Sequence, residues 1–64
     1  MLVERDGCFW IDEDSEKDNL PKNKLINGVY KGGSYGYIPT GKIAISVEGG
    51  TYMFSAEKNE WQDV

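Results

Sequence analysis

Hydrophobic and polar positions alternate most regularly near the C-terminal end of the chain, from Lys42 to Val64. In Lys42-Ile43-Ala44-Ile45-Ser46-Val47, Ile43, Ile45 and Val47 fall on one side of an extended segment. Side chains of a strand point to opposite faces in turn, so this pattern predicts a half-buried strand. Glu48-Gly49-Gly50 reads as a turn, Thr51-Tyr52-Met53-Phe54-Ser55 as a second strand, Ala56-Glu57-Lys58-Asn59 as a turn, and Glu60-Trp61-Gln62-Asp63-Val64 as a third strand. The segment 42–64 is therefore expected to form a three-stranded antiparallel meander.

Turn chemistry carries the register further. A two-residue hairpin loop is favoured at the glycines, because primed turns need positive φ. A loop at Glu48-Gly49 pairs Ile45 with Tyr52; one at Gly49-Gly50 pairs Val47 with Tyr52 and Ile45 with Phe54. A three-residue loop that sets Ala44 opposite Phe54 breaks the apolar face and is disfavoured. A four-residue loop over Ala56–Asn59, closed by Asn59 in the left-handed region, pairs Phe54 with Trp61. The expected folding core is then Ile43, Ile45, Val47, Tyr52, Phe54 and Trp61.

The preceding residues add shorter elements. Gly7-Cys8-Phe9-Trp10-Ile11-Asp12 is a candidate first strand, apolar on both faces. Residues 12–23 form an acidic loop in which Pro21 disfavours helix at Leu20. Lys24–Lys31 is one bent strand or a hairpin around Asn27-Gly28, and Gly32-Gly33 offers a second turn that would pair Tyr30 with Tyr35. The two turns lie too close for both to carry full strands, and Gly32-Gly33 is preferred. No segment has the length and apolar stripe of a stable helix; Ser15–Leu20 is short and too polar to pack. The expectation is a single all-β domain over residues 1–64: a small curled antiparallel sheet or barrel of five to six short strands.

Size sharpens this picture. A chain of 64 residues buries only about 60% of its unfolded surface and gains much from a staple. Cys8 is the sole cysteine and histidine is absent, so neither an intrachain disulfide nor a zinc site is expected. Association with itself or with a larger partner is the expected substitute. The N-terminal residues lack a cationic segment followed by an apolar run, and no apolar run is long enough to span a membrane.

The net charge of −4 argues against nucleic acid as a partner. The charge is segregated: residues 4–19 carry −5, residues 20–47 carry +4 with no acid, and residues 48–64 carry −3. Such blocks can dock head to tail, or simply be solvated loops.

Candidate chemistry is sparse. Asp12, Asp14, Glu16 and Asp18 alternate as hard cations prefer. An EF-hand loop starting at Asp12 needs Gly at position 17 and Glu at position 23, where Lys17 and Asn23 stand. A solvated acidic loop is the reading, with no metal and no cofactor. Without histidine the commonest general acid or base is missing. Cys8, with nothing to activate it, reads as a small core residue. No enzymatic activity is expected. Tyr30, Tyr35 and Tyr37, spread over the glycine-rich 30–37 segment, are the expected protein contacts, since tyrosine joins an apolar body to a polar tip.

Ile38-Pro39-Thr40-Gly41 with the apolar strand 42–47, then Gly50-Thr51-Tyr52-Met53-Phe54, then Asn59-Glu60-Trp61, resembles small virion proteins of tailed bacteriophages, of the capsid-decorating, head-fibre or baseplate type. The resemblance covers residues 38–64. It implies a non-enzymatic structural or accessory protein that docks on a larger virion protein or on copies of itself. Its place would be the virion, after assembly in the host cytoplasm. It carries over no individual functional residue. The alternative from another class is a small acidic inhibitor of a host protein, suggested by the acidic run from Asp12 to Asp18.

Overall fold

The computed structural model describes all residues, Met1–Val64. Seven short strands and one 3-10 helix account for the regular structure. β1 (Val3–Arg5), β2 (Cys8–Ile11), β5 (Ile43–Ser46), β6 (Thr51–Ser55) and β7 (Glu60–Asp63) form one open sheet in the order β1-β2-β5-β6-β7. β3 (Lys24–Ile26) and β4 (Val29–Lys31) form a separate two-stranded hairpin. The protein is all-β and its sheet stays open rather than closing into a barrel, but two expectations are corrected: there are seven strands instead of five to six, and the sheet is mixed instead of antiparallel, because β2 pairs with β5 in parallel. The outline is elongated, 37 × 20 × 19 Å.

Two Asx-Gly dipeptides set the hairpins. Asp6 and Gly7 have φ of 57° and 78°, and Asn27 and Gly28 have 52° and 77°. Two successive positive φ values are those of a type I′ turn, which matches the twist of the flanking strands. The first hairpin adds β1, a strand with no apolar alternation to reveal it. The second corrects the preference for Gly32-Gly33. Neither of those glycines has positive φ. A side chain at Gly32 would also collide with the backbone, 2.5 Å from Tyr37 N. Tyr30 pairs with Leu25 rather than Tyr35.

The meander is present, and its second turn has the expected form. Phe54 pairs with Trp61 across Ala56–Asn59, and Asn59 has φ 53°. The first turn differs. Val47, Glu48 and Gly49 form a three-residue loop, with Ser46 N donating to Gly50 O at 2.8 Å and Gly49 N to Ser46 O at 2.9 Å. Ala44 therefore pairs with Tyr52, and Ile45 with Thr51. This one-residue shift turns every side chain of β5 over. Ala44 and Ser46 are buried beside Tyr52 and Phe54, Ile43 and Ile45 lie half-buried on the reverse face, and Val47 is 72% exposed in the turn. Ile43, Ile45 and Val47 thus stand outside the core they were expected to form.

The cause is the neighbouring strand. β2 pairs with β5 in parallel, Phe9 beside Ala44 and Ile11 beside Ser46. The bulky side chains of β2 and β6 flank the small ones of β5, so large and small alternate across one face as close packing requires. The core is Phe9, Ile11, Leu20, Ile38, Ala44, Tyr52 and Phe54, with Leu2, Ala56 and Trp61 packed against it. Trp61 tilts on Phe54 at 5.0 Å and meets Phe9 edge-on at 5.8 Å, while its indole N–H donates to Pro21 O at 2.8 Å.

Parallel neighbours need a long crossover, and residues 12–42 supply it. Its buried apolar side chains, Leu20 and Ile38, cover the Phe9–Phe54 face of the sheet. The acidic loop becomes the 3-10 helix Asp14–Asn19. Glu16 accepts from Glu13 N at 2.8 Å and Asp12 N at 2.9 Å. Those bonds, Glu13's first, and the Met1 ammonium 3.1 Å away hold the Glu16 carboxyl below its usual range. The carboxylates of this loop organise backbone: Asp14 accepts from Gly50 N and the Tyr52 hydroxyl, and Asp14 N donates to Glu48 at 2.7 Å.

Candidate functional site

The β3–β4 hairpin projects as an arm. Lys24 pairs with Lys31, Leu25 with Tyr30 and Ile26 with Val29. Paired residues share a face, so one face carries Leu25 and Tyr30. The other carries Ile26 and Val29 with the two lysines. Leu25 is 63%, Val29 56% and Ile26 46% exposed. A two-stranded hairpin is at best marginally stable in water, and like charges directly opposite each other destabilise it further. Neither Lys24 nor Lys31 has an ion-pair partner, whereas Lys17 and Lys42 pair with Asp63 and Glu4.

Asn23 fastens the root of this arm. It is buried at 4% exposure. Its Nδ2 donates to Ile38 O at 2.9 Å and its Oδ1 accepts from Ile38 N at 2.8 Å. Its backbone N donates to Asn59 Oδ1, and Asn59 Nδ2 donates to Asn23 O, both at 2.9 Å. One asparagine therefore ties both ends of the arm segment to the β6–β7 turn, with each buried polar atom satisfied. Sequence patterning missed Asn23, since a buried amide in a polar loop leaves no periodic signal; the left-handed Asn59 was its only legible half.

The three candidate contact tyrosines divide. Tyr37 is exposed, and Tyr30 lies half-buried on the arm. Tyr35 is partly exposed but stacks its edge on Phe9 at 5.3 Å, which anchors the loop. Tyr35, Leu2, Pro21, Lys22, Lys24 and Ile38 line an open cleft of about 240 Å³ at the arm's root. Exposed aliphatic side chains, tyrosines and unpaired lysines thus converge on one end of the molecule. The residues sequence patterning overlooked there are Leu25, Ile26 and Val29, because alternation alone does not tell a strand on a core from one in solvent.

Chemistry at the opposite end is structural. Tyr52 is buried, and burial, with the Asp14 carboxylate beside it, pushes its phenol above the ordinary value. Gly50 permits this contact, because a side chain there would overlap the Tyr52 hydroxyl and Asp14. The folded state holds this proton more tightly than the unfolded chain. Its contribution to stability is therefore complete below about pH 10 and is lost as pH rises through the raised value. Ultraviolet titration of the four tyrosines should show one ionising after the rest, together with unfolding. Four phenols titrating as one set would contradict the Tyr52–Asp14 arrangement. Cys8, expected in the core, is half-buried on the reverse face of β2. No helix is long and apolar enough to cross a membrane, and no three acidic or cysteine side chains cluster as a metal site. No protein-family model matches this chain, and neither the curated proteins nor the solved structures contain a match to it.

Proposed function

We propose that this protein works by binding, as a non-enzymatic accessory component that docks its arm on a larger protein of an assembly. The observation that carries the reading is the arm itself: Leu25, Ile26 and Val29 stand in solvent on a hairpin whose two lysines face each other without counter-ions. A partner with an apolar groove and an acidic rim covers the aliphatic side chains and relieves the Lys24–Lys31 repulsion at once. The likeness of residues 38–64 to tailed-phage virion proteins supports a virion as that assembly.

The test is affinity capture from the producing cells with the wild-type chain and a Leu25→Ser/Val29→Ser variant. Both residues are exposed, so the variant should melt within a few degrees of the parent. A protein captured in stoichiometric amount by the wild type and lost by the variant, with capture falling as salt rises, is the expected result. Equal capture by both chains would remove the arm from the proposed function.

A further inference from the structure

The crossover covers one face of the sheet, and the reverse face carries a second apolar surface. Cross-strand pairs place Val3, Trp10, Ile45 and Thr51 in one row, with Val64 N donating to Thr51 O at its end. The next row holds Arg5, Cys8, Ile43, Met53 and Gln62. Val3, Cys8, Trp10, Ile43, Ile45 and Met53 thus form a band across four strands; they are half-buried or exposed, Met53 at 40%. In a chain with eighteen charged residues, the strand residues of this face include only two, Arg5 and Glu60.

Those two charges decide the occupant. They are opposite in sign and sit on opposite edge strands, Arg5 on β1 and Glu60 on β7. Neither has an ion-pair partner: Arg5 lies over the Trp10 ring at 5.6 Å, and Glu60 accepts only from Gln62, at 3.3 Å. We infer that this face packs against the same face of a second copy, about a two-fold axis parallel to the central strand β5. That operation lays β1 of each copy over β7 of the other. Arg5 then approaches Glu60 twice, offset along the strands by one side-chain row of about 7 Å, within reach of an arginine. An isologous contact of this kind is self-complementary, as homodimers require. It stacks two sheets about 10 Å apart, the spacing of a sandwich core.

Light scattering of the full chain at concentrations up to about 1 mM tests this. Dimer mass is expected at the upper end. Arg5→Glu and Glu60→Arg should each raise the dissociation constant roughly ten-fold, and the double exchange should return it to near the parent value. Ile45→Lys, beside the axis, should leave a monomer; circular dichroism checks that it folds. A folded monomer at every concentration, single exchanges without effect, or a double exchange that fails to restore association would overturn the inference. The arm variant Leu25→Ser/Val29→Ser should dimerise as the parent does; loss of its dimer would assign self-association to the arm instead and overturn the sheet-face contact.

Discussion

Phe9→Ala is expected to remove a large share of this domain's stability, more than truncation of Trp61 or Val47. The side chain is 1% exposed and touches both sides of the core, with Tyr35 at 5.3 Å and Trp61 at 5.8 Å. Truncating a buried phenylalanine costs about 3–5 kcal/mol. A domain of this length has roughly 3–10 kcal/mol in total. The control is Val47→Ala, which sequence patterning places in the core and the structure places in a solvent-exposed turn. It should change stability by no more than about 0.5 kcal/mol. Trp61→Ala falls between them, at about 3 kcal/mol, since Trp61 is half-buried yet loses two aromatic contacts and its bond to Pro21. Denaturant midpoints rank the three. A Val47→Ala protein as unstable as Phe9→Ala would restore the two-residue turn and overturn the β5 register.

Asn23→Asp is the second large effect, and it is nearly isosteric. The substitution replaces the Nδ2 donor facing Ile38 O with an oxygen, so an acceptor meets an acceptor in a buried site. The lost bond and the buried carboxylate together cost about 2–5 kcal/mol at neutral pH. The sign of the pH dependence follows. Burial and the facing carbonyl raise the new carboxyl above its unfolded value. The penalty is therefore full above the raised value and shrinks as pH falls toward about 4, where the protonated acid again donates. Urea midpoints of parent and variant should converge on acidification. Because Asn23 holds both ends of the arm segment, hydrogen exchange at the Ile38 amide should also accelerate. A gap between midpoints that stays constant from pH 7 to pH 4 would show that the Asn23–Ile38 bonds contribute little.

The legible parts of this molecule are those decided within a few residues. The Ala56–Asn59 turn, its left-handed Asn59 and the Phe54–Trp61 pair follow from local φ preference and alternation, and they hold. Asn27-Gly28 was equally legible, and the competing glycine pair obscured it. Asp6-Gly7 carries the same signal, but β1 beside it lacks alternation because its Val3, Glu4 and Arg5 lie at an exposed edge. Of the candidate site, Tyr30 and Tyr37 were visible as residue types. The arm that carries Leu25 and Val29 was not, since exposure is a property of the surroundings.

Composition, alternation and turn chemistry act over a few residues, and they suffice for the all-β class and the three strands of the meander. Which face of β5 is buried depends instead on a strand more than thirty residues away in the chain. Local pattern favours the face with two isoleucines and a valine; the parallel neighbour β2 brings Phe9 and Ile11 alongside, and only Ala44 and Ser46 leave room for them. The same pairing requires the long crossover, the crossover covers a single face, and the apolar reverse face and the free arm are what that topology leaves outside the core.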